Sequence, residues 1–208
     1  EKVVEILNYY FTEMTNAIHH NNGTIDKFIG DAIMAIWGAP IRTSNHPEQA
    51  VHAALAMVTN LQHVNQWLAD HGYAPINIGI GIHTGEVILG SIGSEYKADY
   101  TVIGDNVNLA SRLEGITKTY GCQIIISETT YTSIADKIPC RIVDRVRVKG
   151  KQKPICIYTP LLSDESTFSD ANRQLIAAAD QAFTLYTEQQ WEQAIATLEQ
   201  LAQDTLTQ

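Results

Sequence analysis

Residues 24–38 have the sequence TIDKFIGDAIMAIWG, which places two apolar runs on either side of a Gly30-Asp31 pair. Glycine and aspartate between two such runs are typical of the tight turn of a β-hairpin. We therefore predict two paired strands that hold Asp31 at their turn. Because turn chemistry alone would account for an aspartate there, a functional role for Asp31 depends on the residues found elsewhere in the chain.

Composition limits the class of protein. The chain has 208 residues, of which 45% are hydrophobic, enough for one core and a small appendage. It contains no apolar run long enough to cross a bilayer, and its first residues do not resemble a signal peptide. Cys122, Cys140 and Cys156 lack the paired spacing of metal ligands, which indicates reduced thiols. We expect a soluble, cytoplasmic chain without a membrane segment.

Charge is unevenly distributed along the chain. The formal net charge of −9 argues against a general nucleic-acid partner. Residues 161–208 hold only one base, Arg173, among many acids. By contrast, the bases at 141, 145, 147, 149, 151 and 153 form a local cationic patch.

Apolar periodicity predicts the elements of the first half. Residues 2–21 and a segment from Pro47 to about His71 have helical spacing. Ile alternates with Asn or Gly in residues 76–83, which predicts a central strand with residues 86–90 as its hairpin mate. Glycines at 79 and 81 would let another backbone approach this strand closely.

The second half alternates short strands and helices. We predict a strand at 100–104 and a helix from Asp105 to about Gly115, on which Asn108 and Arg112 share a face because they are four residues apart. Further elements are expected as strands at 122–127, 141–148 and 155–159, a short helix at 128–134, a turn at 149–153 and a polar linker at 161–168. Two short helices joined near residues 188–190 resemble a single tetratricopeptide-type hairpin.

Four motifs, taken together and in this order, resemble class III nucleotide cyclases. They are DKFIGD at 26–31, GIGIHTGE at 79–86, YTVIGDNVNLASRLE at 100–114 and VKGK at 148–151. The resemblance covers residues 1–160, which we predict to be the catalytic domain, followed by an acidic linker and helical hairpin at 161–208. It implies an α+β fold with a ferredoxin-like βαββαβ core and additional strands. It also implies a head-to-tail homodimer with active sites at the interface.

The resemblance further implies a reaction and roles for individual residues. The reaction converts ATP to 3′,5′-cyclic AMP and pyrophosphate with two Mg²⁺ or Mn²⁺ ions per site. Asp31 matches one of two metal aspartates of the family. Arg112 matches the residue that stabilises charge at the α-phosphate, and Asn108 matches the one that orients the ribose. Lys149, with Lys151 as a close second, matches the phosphate-binding lysine, although an exposed lysine in a turn is also commonly just solvated.

Base choice is implied by Lys27 and Thr101. In the family this Lys–Thr pair goes with adenine, whereas glutamate at the first position goes with guanine, so the resemblance favours ATP over GTP. A threonine hydroxyl can donate or accept a hydrogen bond. We therefore expect softer discrimination than an aspartate would give, and a guanylyl cyclase stays as an alternative.

The other metal aspartate of the family has no counterpart in residues 1–208. In the family it lies in a Phe-Ser-Asp-Ile type motif on a strand before the first helix. Asp26 is a poor substitute, because it lies on the strand beside Lys27. We expect residues 1–208 alone to turn over little, and a preceding strand with an aspartate to restore activity, in a larger protein with upstream sensor domains. A non-catalytic nucleotide-binding or dimerisation module and a scaffold built around the helical tail are the alternatives.

Overall fold

A computed structural model describes residues 2–147, 153–161 and 169–206. The chain forms two compact units, Glu1–Ile124 and Ile125–Gln208. The first contains α1 (Lys2–His20), β1 (Thr24–Ile29), β2 (Ala32–Ile36), α2 (His46–Asp70), β3 (Ile80–Ile82), β4 (Ile88–Gly93), β5 (Ala98–Ile103) and α3 (Asp105–Tyr120). The second contains β6 (Ile124–Ser127), α4 (Glu128–Thr132), β7 (Cys140–Val146), β8 (Ile155–Pro160), α5 (Asp170–Thr187) and α6 (Trp191–Leu206). The predicted α+β class and the two C-terminal helices are confirmed.

The core of the first unit forms where the two long helices pack together. Met14 and Ile18 of α1 and Val64 and Leu68 of α2 are fully buried in one cluster. Burying side chains of this size stabilises a fold by roughly 1.5–3 kcal/mol each. The predicted helices are confirmed, and Gly72, with φ of 75°, follows the end of α2 as expected.

The predicted hairpin is also confirmed. Strands β1 and β2 are antiparallel, and Ile29 pairs with Ala32, so Gly30 and Asp31 are its two turn residues. Gly30 has φ of 65°, as a two-residue turn with glycine in first position requires. The register shifts between Ile25 and Lys27, which makes a β-bulge at Asp26.

The central strand is shorter than predicted. Only residues 80–82 of the predicted 76–83 form a strand. Ile76 is held instead by the Asn65 side chain of α2, which accepts a hydrogen bond from the Ile76 N–H at 2.8 Å and donates one to its carbonyl at 3.0 Å. A side chain thus replaces the ladder that the alternation predicted.

The predicted hairpin mate of that strand is wrong. The segment after residue 86 forms β4, which pairs with β5, with Leu89 opposite Val102. The helix that follows is longer than predicted, because Gly115 does not end it. Instead α3 continues to Tyr120, and Gly121 ends it in the left-handed conformation at φ of 61°.

The second unit is a sheet with helices. Its antiparallel strands lie in the order β6, β8, β7, and α5 packs on β7 and on α6. Cys122, Cys140 and Cys156 are free thiols, although Cys122 precedes β6 and does not lie in a strand. Most of the turn predicted at 149–153 and of the linker predicted at 161–168 lies outside the described residues. Among the described helices, none has the length and apolar character of a membrane span.

Candidate active site

Asp31 is held at an exposed turn by a well-anchored hairpin. The ring of Phe28 on β1 lies 4.3 Å from that of Phe11 on α1. After β2, the indole N–H of Trp37 donates a 2.9 Å hydrogen bond to the carbonyl of Asn21 at the end of α1. The turn therefore has a rigid base, which is what a metal-binding or catalytic carboxylate needs.

The surroundings of Asp31 leave its carboxylate available. Burial raises the pKa of the Tyr10 phenol on α1, and the negative charge of Asp31 raises that pKa further, so Tyr10 stays neutral beside the carboxylate. In the part of the chain that the structure describes, the Asp31 carboxylate takes part in no hydrogen bond or ion pair. It can accept a cation or a donor from outside this chain.

Helix α3 carries Asn108 and Arg112 on one face. Asn108 is exposed and Arg112 half-buried, and neither side chain has a hydrogen-bond or ion-pair partner within residues 2–147, 153–161 and 169–202. A guanidinium fork beside an amide can bind phosphate and ribose oxygens. The uncommitted donors of these two side chains suit a ligand.

The start of α3 is fixed by a polar network. The Asn106 amide donates a 2.8 Å hydrogen bond to the carbonyl of Glu86, and its oxygen lies 3.0 Å from Nε2 of His83. Both partners belong to the segment that follows β3. This network and the packing of α3 on β3 set the direction in which Asn108 and Arg112 project.

Lys27 and Thr101 are brought together by Asp26, which the sequence suggested only as a poor substitute for the second metal aspartate. The Thr101 hydroxyl donates a 2.7 Å hydrogen bond to Oδ2 of Asp26. Lys27 Nζ lies 3.7 Å from the same oxygen. Strict alternation places neighbouring residues on opposite faces of a strand, so only the bulge at Asp26 could have signalled this arrangement. Bulges re-aim side chains and cannot be located from composition.

Other predicted site residues are not joined directly by polar contacts. No described hydrogen bond or ion pair joins Asp31 to Lys27, Thr101, Asn108 or Arg112. The predicted phosphate lysines at 149 and 151 lie outside the described residues.

The carboxylate set fits only part of a metal site. Among the described residues, no cluster of three His, Cys, Asp or Glu side chains is able to hold a metal ion. Mg²⁺ in nucleotide sites is usually held by one or two carboxylates together with substrate phosphates and water. Asp31, exposed and uncommitted, therefore fits as one protein ligand of an ion that arrives with a nucleoside triphosphate.

A family model and individual relatives both match this chain to nucleotide cyclases. The family model described as "Adenylate and Guanylate cyclase catalytic domain" matches residues 1–159. An adenylate cyclase of Anabaena cylindrica is 40% identical over 76% of this chain, and adenylate cyclase 1 of Rhizobium meliloti is 35% identical over 76%. The chain spans about a third of the first and a quarter of the second, 32% and 24% of their lengths.

Solved structures show the same likeness. The crystal structure of the guanylyl cyclase Cya2 matches with a TM-score of 0.69 and 40% identity, covering 77% of this chain and 80% of that one. The adenylyl cyclase CyaB from P. aeruginosa matches with a TM-score of 0.71 and 35% identity, covering 80% and 86%. The similar proteins thus include both an adenylyl and a guanylyl cyclase.

Proposed function

Because the chain belongs to the adenylate and guanylate cyclase catalytic domain family, as the motifs predicted, we propose that it converts ATP to 3′,5′-cyclic AMP and pyrophosphate. The observation that carries the proposal is the match over residues 1–159. It is supported by the uncommitted Asn108 and Arg112 on α3 and by the Lys27–Asp26–Thr101 cluster. The relatives extend well beyond this chain, so we further propose that sensor domains upstream control the reaction in intracellular signalling.

The proposed reaction is an in-line displacement at phosphorus. The bond from ribose O3′ to the α-phosphorus forms while the bond from that phosphorus to the oxygen bridging to the β-phosphate breaks. The 3′-hydroxyl proton is released, and negative charge moves onto the pyrophosphate. The protein must therefore position O3′ and offset charge on the phosphates.

Residues of this chain supply those two functions. The Arg112 guanidinium would donate to the α-phosphate oxygens as charge develops there, and the Asn108 amide would hold the ribose so that O3′ faces phosphorus. Asp31 would hold Mg²⁺ or Mn²⁺, which when bound supplies charge neutralisation on the phosphates and a more acidic 3′-hydroxyl. Lys149 and Lys151 are proposed to contact the β- and γ-phosphates.

A homodimer is proposed to complete the site. Exposed apolar side chains cluster on the β1–β2 and β4–β5 hairpins; they are Phe28, Ile29, Ile88, Ile92, Tyr96, Tyr100 and Ile103. An isolated two-stranded hairpin is marginally stable, and exposed apolar patches mark interaction sites. A second copy covering these hairpins would also bring its α3 residues to Asp31, which makes no hydrogen bond or ion pair to α3 of its own chain among the described residues.

Two alternatives have specific support. A 40% identical guanylyl cyclase structure favours GTP as the substrate, which Lys27 and Thr101 argue against. Only Asp31 matches one of the two metal aspartates of the family, and the described residues hold no metal-binding cluster. Both observations favour a module that binds nucleotide and dimerises without turnover. The structure also offers a place for the strand that would carry the second aspartate. β2 and β3 border an apolar cleft of about 370 Å³, and we propose that a preceding strand occupies it.

A direct assay tests the proposed function. The protein, in a form that includes the strand expected to carry the second aspartate, is incubated with Mn²⁺ and with ATP or GTP, and cyclic nucleotide and pyrophosphate are both measured. We expect equal amounts of cyclic AMP and pyrophosphate, little cyclic GMP, and loss of both products in Arg112→Ala. Lys118→Ala, an exposed basic residue on the same helix, is the matched control. Nucleotide binding without pyrophosphate release would favour the non-catalytic module.

A further inference from the structure

The Asp26 side chain is almost completely buried, which is unusual for an aspartate. Its side chain is only 2% exposed, although aspartates are almost never fully buried unless they are paired. It lies at the bulge of β1, where the register skips from Ile25 to Lys27. Its two partners are the side chains that the proposed function assigns to base recognition, Lys27 and Thr101.

The hydrogen bond to Asp26 fixes what Thr101 can offer a ligand. A threonine hydroxyl has one O–H donor and two acceptor lone pairs. That single donor is used at 2.7 Å on Oδ2 of Asp26. Thr101 is 7% exposed, so giving up this bond would leave a buried polar group unpaired. The hydroxyl is therefore limited to accepting hydrogen bonds from a ligand.

The same oxygen of Asp26 also orients Lys27. The ammonium group lies 3.7 Å away and can only donate. Together the two side chains present one acceptor and one donor, and both are held in place by the Asp26 carboxylate. Asp26 thus removes the freedom of Thr101 to donate, on which the expectation of soft base discrimination depended.

Adenine and guanine have opposite donor and acceptor patterns at the two atoms that would face this pair. Adenine places an amino donor, N6, beside the acceptor N1, whereas guanine places the acceptor O6 beside the donor N1–H. An acceptor at Thr101 and a donor at Lys27 match adenine and oppose guanine at both atoms. A site with fixed polarity rejects the wrong partner because its own buried groups would be left unpaired.

We propose that Asp26 is a positioning residue for base specificity, because its carboxylate fixes Thr101 as an acceptor and holds Lys27 as the neighbouring donor. This inference rests on the proposed function, since it assigns the selectivity of that same site. Asp26 touches neither base nor phosphate in this account. It acts through the two residues it contacts.

The test compares nucleotide selectivity in Asp26→Asn with that of the unchanged protein, both in the form that includes the strand expected to carry the second aspartate, measured as the ratio of kcat/KM for ATP to that for GTP. An asparagine amide can donate to Thr101 as well as accept from it, so the Thr101 hydroxyl regains its freedom. We expect the ratio to fall at least about tenfold, a difference of about 1.4 kcal/mol, mainly through a higher KM for ATP. Both constants come from one preparation, so the ratio does not depend on how much of the variant is folded.

A matched variant and a double variant separate positioning from general damage. Asp136→Asn removes the same charge from an exposed site between α4 and β7, outside the two hairpins proposed as the dimer interface, and should keep the ratio. In a Thr101→Val background, Asp26→Asn should have no further effect on the ratio, because the hydroxyl on which it acts is gone.

The outcomes also separate this inference from the proposed function. Equal losses for ATP and GTP in Asp26→Asn, with the ratio unchanged, would overturn the role of Asp26 while leaving an adenylyl cyclase intact. If the unchanged protein binds neither fluorescent ATP nor fluorescent GTP analogues, the proposed function fails, and this inference fails with it.

Discussion

Gly81 on β3 lies directly against the backbone of α3 at Glu114. A Cβ at Gly81 would lie 2.9 Å from Cα of Glu114 and closer still to its nitrogen and to the carbonyl oxygen of Ala110. No Cβ is accommodated at such distances without movement of the helix. The close approach that the alternating glycines predicted is therefore confirmed, and it positions the helix that carries Asn108 and Arg112.

Replacing Gly81 with alanine should disturb the site through this contact. Since the clash is with backbone, α3 must shift, and overpacking of this kind costs about 1–3 kcal/mol. We expect a lower free energy of unfolding in urea and a lower kcat, because Arg112 is displaced. Gly115→Ala is the matched control, since a Cβ there meets open space within α3 and should stabilise the helix by about 0.5–1 kcal/mol. Equal stability of Gly81→Ala and the unchanged protein would contradict this packing.

Reversing the charge at position 27 tests base recognition. Lys27→Glu replaces a donor with an acceptor beside the buried Asp26 carboxylate, so the site can no longer match N1 of adenine. Each lost contact should cost about 1–3 kcal/mol, as for a buried polar group without a partner. In the form that includes the strand expected to carry the second aspartate, we expect kcat/KM for ATP to fall far more than that for GTP. An unchanged ratio would remove Lys27 from the base pocket.

The thiol of Cys140 should make stability depend on alkaline pH. Burial raises its pKa from 9.0 to about 12, so the folded state retains a proton that the unfolded state loses. The stability that the protonated, buried thiol contributes is fully present below about pH 9 and is lost as the pH rises towards 12. The free energy of unfolding should fall by up to about 1.4 kcal/mol per pH unit in this window.

Urea unfolding of Cys140→Ala under reducing conditions measures that contribution. The difference in free energy of unfolding between the unchanged protein and the variant should shrink above pH 9, because the variant lacks the titrating thiol. Parallel pH curves for the two proteins would contradict it. Taking the difference cancels the effect of other titrating groups on the pH dependence. One of them is Tyr158, because burial also raises its pKa to about 12.

Local sequence signals predicted most of the fold. Periodicity located α1 and α2, and the Gly30-Asp31 pair located the first hairpin, because these signals are contained within each element. The extent of β3 and the pairing of β4 with β5 were missed. They depend on partners distant in sequence, such as the Asn65 side chain that holds Ile76.

Only part of the candidate site was predicted from the sequence. Asn108 and Arg112 share a face of α3 because helical spacing is regular. Asp26 was considered only as a poor substitute for the missing metal aspartate. Its link to Thr101 was not predicted, because strand alternation places Asp26 and Lys27 on opposite faces and only a bulge brings Lys27 and Thr101 to one oxygen of Asp26. Such a bulge has no compositional signature, so the link from Lys27 to Thr101 required the structure.

The central claim is that each active site is shared between two chains, and mixing two inactive variants tests it most directly. Asp31→Ala lacks the metal carboxylate and Arg112→Ala lacks the transition-state donor, whose loss should lower kcat by about 10²–10³. Each is assayed alone and after mixing, in a form of the protein that carries both metal aspartates, with heterodimers confirmed by affinity tags. In a heterodimer of a shared-site enzyme, one site collects both lesions and the other is intact. We predict that activity returns toward one functional site per heterodimer, whereas a mixture as inactive as its parts, with heterodimers present, would contradict the shared site.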